Sequence, residues 1–231
     1  MKEWIFISLL EYFFPPRCVF CNTILAVGAP IYICRECAGR MEYFNNCLNP
    51  LNLPRGIETY CDGMICVGRY NESLKNSLKR FKFSGKPSYY RAFGRLLAVK
   101  LQNTLQEDML DIVIPVPLYK GREKQRGYNQ AGLIAGYAAG ILGKPLLENI
   151  LVKVSDSKSQ SMLSRNERMT NVEDLFSVKR PKAVKNKKIL LVDDIITTGS
   201  TVNQCCKVLK QAGASSVVAG VIATTRSGSY K

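Results

Sequence analysis

From residue 63 onward, apolar and polar positions alternate in a way that predicts strands and helices in turn. Gly63 to Tyr70 has strand character, and Ser73 is placed to cap a helix running to Phe81. A second helix is expected over Ser88 to Gln106. Asp111 to Val116 reads as a strand that breaks at Pro115, and a basic loop, Leu118 to Gln130, leads into an apolar helix from about Ala131 to Leu142. Pro145 to Lys153 gives another short strand or edge. The four apolar residues Ile189 to Val192, bounded by charge, read as a buried strand of a parallel sheet. A helix pattern over Val202 to Gln211 and a strand over Ser215 to Ala223 follow. Strand–helix alternation of this kind implies an α/β domain whose sheet is mainly parallel and whose ligand lies off the strand carboxyl ends. The polar stretch Lys153 to Phe176 interrupts the alternation, and long polar insertions of this kind are often lids. There is no internal repeat.

Before residue 63 the pattern differs. Trp4 to Phe14 is almost wholly apolar and is stopped by Pro15 and Pro16, which predicts one short helix packed on the rest of the protein or docked on a membrane surface or partner. It carries Glu3 and Glu11, lacks the marks of a secretory signal and is too short to span a bilayer, so no transmembrane segment and a cytoplasmic location are expected. Arg40 to Tyr60 is rich in turn residues and reads as the tail of a small module. The division expected is a module over residues 1–62 and an α/β domain over residues 63–231.

Cysteine and charge add chemistry to this outline. Seven of the nine cysteines precede residue 67, and Cys18-x-x-Cys21 and Cys34-x-x-Cys37 stand twelve residues apart. Two such knuckles complete a tetrahedral Cys₄ zinc site, closed and therefore structural; buried free thiols or disulfides are the alternative. Cys47, Cys61 and Cys66 fall one ligand short of a second closed site and are read as buried free thiols. With no histidine in the chain, His-based triads and His metal ligands are excluded. The net charge of +15 in 231 residues suggests an anionic partner, nucleic acid or a phosphorylated substrate. From Arg69 to Lys100 there are nine basic residues and one acid, interleaved with aromatics. That mixture suits single-stranded nucleic acid, with Lys79, Arg80 and Lys82 as candidate contacts; a solvated helix face over core rings is the alternative.

The most informative stretch is Lys188 to Thr201. A strand ends on Asp193 and Asp194, passes through Thr197-Thr198-Gly199-Ser200-Thr201 and enters a helix. First-turn N–H groups and the helix dipole favour an anion there, and glycine lets the backbone approach it. A phosphate cup has no use for two carboxylates, but vicinal sugar hydroxyls do. The stretch asks for a phosphorylated sugar. Helix capping alone, or the acid pair of a receiver domain, are the competing readings. Capping needs neither two acids nor four hydroxyls, and a receiver's pair lies near the start of its domain.

This stretch resembles the phosphoribosyl pyrophosphate (PRPP) signature of type I phosphoribosyltransferases. Together with the Cys₄ pairs, Pro115-Val116-Pro117-Leu118, Arg126-Gly127-Tyr128-Asn129-Gln130 and the pattern Gln160, Leu163, Arg168, Asn171, the chain is similar to the ComF family of competence-associated phosphoribosyltransferase-like proteins. The resemblance implies a type I phosphoribosyltransferase-like parallel sheet flanked by helices and preceded by a zinc module. Asp193 and Asp194 are then the catalytic ribose pair and Thr197 to Thr201 the phosphate loop. Pro115 to Lys120 becomes the pyrophosphate loop, with Arg126, Asn129 and Gln130 lining the site. Gln160, Leu163, Arg168 and Asn171 become a flexible loop. It implies Mg²⁺ with PRPP, and a link to DNA uptake machinery and natural transformation. Pro50 stands where a second cysteine pair of many members would be completed. Two functions remain open: a Mg²⁺-dependent phosphoribosyltransferase of unknown acceptor, and a non-catalytic scaffold that holds single-stranded DNA.

Overall fold

The computed structural model describes residues 15–225, apart from 30, 46, 52, 54 and 155–174. The elements are α1 (Arg35–Gly39), β1 (Gly63–Arg69), α2 (Glu72–Phe83), α3 (Tyr90–Gln102), β2 (Ile112–Pro115), α4 (Lys120–Arg126), α5 (Gln130–Leu142), β3 (Leu151–Lys153), β4 (Phe176–Val178), β5 (Lys188–Ile196), α6 (Ser200–Gln211) and β6 (Ser216–Thr224). Trp4 to Phe14 and the expected lid residues Gln160, Leu163, Arg168 and Asn171 lie outside the described residues.

Four strands form one parallel sheet in the order β1-β6-β5-β2, and β3 and β4 form a separate antiparallel pair. Parallel strands need covered faces. Leu190, Val192, Val218 and Ile222 pack on one face with Leu78, Phe81, Phe93, Leu97 and Ile134 from α2, α3 and α5. Ile189, Leu191, Val217 and Ala219 pack on the other with Val202, Cys205, Cys206 and Leu209 of α6. The apolar run Ile189–Val192 thus feeds both layers. α3 and α5 touch closely: a Cβ on Gly94 would sit 2.8 Å from Tyr137 Cβ and 3.0 Å from Ile134 O, so only glycine fits at this crossing.

The turn-rich segment expected to end the small module does more than that. Tyr43 and Asn49 bridge to Gly68 and Met64, with Phe44 N–H donating to Val67 O at 3.1 Å and Met64 N–H to Asn49 O at 2.7 Å. It covers the outer edge of β1, which would otherwise be an unpaired edge. The cysteine region is also tied to the domain core. Cys18, Val19 and Ile33 share a cluster with Leu74 and Phe81. Ser77 Oγ donates to Val19 O at 2.6 Å.

Three expectations are corrected. Asn71, not Ser73, caps α2, its side chain accepting from Leu74 N at 3.1 Å, and Ser73 lies inside the helix. β5 does not end on Asp193 and Asp194 but runs on through Ile195 and Ile196. The basic stretch after Pro117 contains a seven-residue helix, α4, where a loop was expected. Gly127 (φ 82°) ends α4 in the left-handed conformation, and the Asn129 side chain caps α5 by accepting from Ala131 N at 3.1 Å. Arg-Gly-Tyr-Asn-Gln is therefore a helix stop followed at once by a helix start.

Candidate functional site

The carboxyl ends of β5 and β2 build the site. Pro115 lies opposite Val192 in the sheet, and Val116 N–H donates to Val192 O at 2.8 Å, which brings the Pro-Val-Pro turn beside the acid pair. Successive strand residues point to opposite faces, and Asp193 and Asp194 follow this. Asp194 is buried on the α2 side, where Lys82 Nζ lies 2.5 Å from its Oδ2. Asp193 lies on the α6 side and its Oδ1 accepts from Asp194 N–H at 2.8 Å.

Burial, together with the Asp194 charge, pushes the Asp193 carboxyl from its ordinary 3.8 up to about 8, against the opposing pull of Asp194 N–H and Lys82. The folded state then holds a proton that the unfolded chain has released. Stability is expected to fall as pH rises from about 4 to about 8 on this account. Asp193→Asn removes that dependence. Its melting temperature is expected to exceed that of the parent at pH 8, with the gap closing toward pH 4; a gap independent of pH would show that Asp193 titrates normally.

After β5 the chain turns through Thr197 and Thr198, both exposed, to Gly199 at φ 79°. Thr198 Oγ1 and Ser200 Oγ are 3.2 Å apart, and Ser200 N–H donates to Thr198 Oγ1 at 3.4 Å. Ser200 and Thr201 open α6 on exposed positions, and no side chain caps the helix at Gly199. Such a terminus suits a phosphate. Gly199 is special for a further reason. A Cβ there would lie 3.1 Å from both Leu51 Cδ1 and Leu53 Cδ2. The N-terminal segment therefore forms the underside of the cup, and Asn203 of α6 clamps it by accepting from Tyr60 N at 2.8 Å and donating to Glu58 O at 2.9 Å.

Pro115, Pro117, Lys120 and Asn129 line one cleft of about 350 Å³, together with Glu123, Tyr128 and Lys153. Val116 is buried behind them and its carbonyl accepts from Asn129 Nδ2 at 3.1 Å. Arg126 donates to Gln130 Oε1 at 3.1 Å. Gln130 is buried and its Nε2 makes no hydrogen bond among the described residues, a donor that fits a ligand oxygen.

The three cations proposed for nucleic acid are not brought together. Lys79 is exposed. Arg80 donates to Val19 O and Phe20 O, both at 2.8 Å, and so holds the cysteine region. Lys82 faces Asp194. Its role was invisible in the sequence, where it is one lysine among many. A different cleft, of about 370 Å³, is lined by Arg17, Lys86, Arg91, Tyr32 and Tyr89, with no carboxylate among the described residues. Arg91 lies over Tyr32 and Tyr90 and donates to Tyr32 Oη at 2.9 Å.

Cys18, Cys21, Cys34 and Cys37 place their four Sγ atoms within 4.8 Å of one another, a group that can hold a metal ion. A tetrahedral ion with Zn–S bonds of about 2.3 Å gives S···S edges of roughly 3.8 Å, and Cys21 and Cys34 are already 3.6 Å apart. Cys37 N–H donates to Cys34 Sγ at 3.4 Å, so the second knuckle is also the first turn of α1. Cys61 and Cys66 are buried free thiols as expected, whereas Cys47 is exposed.

Sequence comparison agrees with this geometry. The phosphoribosyl transferase domain family matches residues 133–231. Competence protein F of Haemophilus influenzae is 33% identical over 221 residues, covering 87% of this chain and 93% of that protein. Competence protein ComFC of Streptococcus pneumoniae is 36% identical over 211 residues, covering 86% and 90%. The chain belongs to the ComF family. DNA utilization protein YhgH of Escherichia coli strain K12 is also similar, 27% identical over 157 residues, covering 67% of this chain and 68% of that one. The ComF-type chain thus combines a phosphoribosyltransferase-type parallel sheet with a cysteine cluster near its N-terminus. Among the described residues no helix is long and apolar enough to cross a membrane.

Proposed function

We propose that this protein binds PRPP through Asp193, Asp194 and the Thr197 to Thr201 loop, transfers its phosphoribosyl group, and serves the handling of incoming DNA in the cytoplasm. The observation that carries the reading is the acid pair near the end of β5, followed after Ile195–Thr198 by a left-handed Gly199 that opens α6 with no side-chain cap of its own. The carboxylates accept the ribose hydroxyls, and the Thr197, Thr198, Ser200 and Thr201 hydroxyls with the α6 N–H groups take the 5′-phosphate. The diphosphate lies toward Pro115–Lys120, where Lys120 lines the cleft, and nearby Arg126 and Gln130 Nε2, unpartnered among the described residues, offer positive charge and a donor. Mg²⁺, when bound with the diphosphate beside Pro115–Lys120, would supply further neutralisation of the leaving group. The C1–oxygen bond to diphosphate breaks as the acceptor attacks from the opposite side, and the acid pair sits beside the sugar that turns electron-poor. Gln160, Leu163, Arg168 and Asn171 are proposed as the lid over this exchange.

The four cysteines are proposed to hold one structural Zn²⁺, since all four positions of a tetrahedral ion are filled by thiolates. On this reading residues 1–62 form a metal-stabilised part and residues 63–231 the transferase part. The names of the relatives support a DNA-linked role. A second reading, a scaffold for single-stranded DNA, is favoured by one observation: the cleft of Arg17, Lys86, Arg91 and Tyr32 offers cations and a ring, with no opposing acid among the described residues. One wall of that cleft belongs to the cysteine region, so a variant that loses the metal is expected to lose single-strand binding as well.

Millimolar PRPP with Mg²⁺ is expected to raise the melting temperature by mass action. No shift for the parent protein would remove the transferase reading and leave the scaffold.

A further inference from the structure

Two cations without a counter-ion share a cleft away from the acid pair. β1 is the sheet edge opposite β2, and β6 separates it from β5. Beside that edge lies a cleft of about 490 Å³, lined in part by Val67 and larger than the cleft of about 350 Å³ beside Pro115. One wall is α3, which sets Arg95, Leu96, Val99 and Lys100 along one face. The other is Tyr43–Asn45, the segment that covers β1. The lining is largely apolar, and Tyr43 and Val99 are 50% and 43% exposed there.

Lys100 is only 6% exposed, and its Nζ donates to Phe44 O, which ties α3 to the covering segment. An ammonium has three donors and a full charge; one carbonyl uses a single donor and leaves the charge. The titratable groups that act on Lys100 are the thiols of Cys66 and Cys47, and burial pushes Cys66 up to about 12, so that thiol is neutral. Burial also holds the Lys100 amine below its ordinary pKa. Arg95 is half-buried, and its buried Nε makes no hydrogen bond among the described residues. No carboxylate among the described residues lines the cleft. A buried cation is costly until an anion meets it.

We propose that this cleft is a second ligand site, for a small carboxylic acid with a compact apolar body. The carboxylate meets Arg95 and Lys100, since a guanidinium presents a planar fork that matches carboxylate geometry. The apolar body covers Tyr43 and Val99, which gives an organic acid the advantage over inorganic phosphate or a sugar phosphate. The site stands apart from the phosphorylated-ribose reading and does not depend on it.

The test is calorimetry of the full chain with phenylacetate and with octanoate, each beside its neutral amide. At least one acid is expected to bind one per chain and about tenfold or more tightly than its amide, the usual worth of a hydrogen bond to a charged group. Arg95→Gln brings that ratio close to one, and Arg95→Lys, which keeps the charge without the fork, retains part of it. Arg95 has no partner to lose, so its variants are expected to melt with the parent. Lys100→Met also lowers the ratio, and its melting curve separates lost binding from the lost tie to Phe44. Ribose 5-phosphate is expected not to displace the acid. Displacement by ribose 5-phosphate, equal binding of acid and amide, or a ratio that survives Arg95→Gln overturns the inference. So does silence of both acids at millimolar concentration, whether or not an acidic peptide binds in their place and marks the cleft as a protein-docking surface.

Discussion

Cys34→Ser is expected to strip the protein of its metal and to lower its melting temperature by roughly 10 °C or more. Structural zinc supplies about 10–16 kcal/mol to small metal modules. Even a third of that corresponds to a shift of this size at roughly 2–4 °C per kcal/mol for a chain of this length. From the sequence, the damage would stay in the first 60 or so residues, with the α/β domain still folded. The structure extends it. Val19 O is the acceptor for both Ser77 Oγ and Arg80, and Phe20 O for Arg80 again, so losing the knuckles removes partners from the middle of α2. α2 carries Lys82, the cation on Asp194. The cleft of Arg17, Tyr32 and Arg91 loses a wall, and single-strand binding is expected to go with it. Elemental analysis of parent and variant, with melting curves, checks the result. A metal-free variant that melts with the parent would show that the knuckles are ornaments on an independent fold.

Gly199→Val is expected to abolish binding of ribose 5-phosphate and to destabilise the protein by about 3 kcal/mol. Two effects add. A branched residue at φ 79° is strained by roughly 1–2 kcal/mol, and overpacking costs about 1–3 kcal/mol. The sequence suggested that the new side chain would meet the phosphate. The structure gives a different collision: the Cβ points at Leu51 and Leu53, each 3.1 Å away. The cup is deformed from beneath, as the segment clamped by Asn203 is driven off or the loop is pushed outward. Leu51→Ala combined with Leu53→Ala in the Gly199→Val background is expected to restore part of the binding by opening that space. No recovery would mean that backbone strain alone is responsible.

Much of this was legible because local signals agreed. Ile189 to Val192 could only be a strand buried on both faces, and the acids, hydroxyls and glycine after it left little choice of chemistry. The Cys-x-x-Cys pairs fixed their own geometry. What escaped was tertiary. Lys82 and Arg80 sit in one basic helix and look alike in sequence, yet the helix turns one toward Asp194 and the other toward the cysteine region. The run Leu51-x-Leu53 carries no periodic signal, since its partner is a glycine 146 residues after Leu53. The stretch Lys120–Arg126 was too polar and too short to reveal a helix by periodicity, although Gly127 was a stop signal in plain view.

The central claim is that Asp193 and Asp194 form the ribose end of a PRPP site, and calorimetry of PRPP with Mg²⁺ on the parent and on Asp193→Asn/Asp194→Asn tests it most directly. A hydrogen bond to a charged group is worth about 1.5–3 kcal/mol, so losing the charged acceptor at Asp194 alone is expected to weaken binding about tenfold or more, with a further loss above about pH 8, where Asp193 ionises. The melting transition of the double variant should stay cooperative, because asparagine keeps an acceptor for Asp194 N–H and the shape of both side chains. Saturable binding to the parent with little or none to the double variant is the result predicted. Equal binding to both, or none to the parent, would contradict the account.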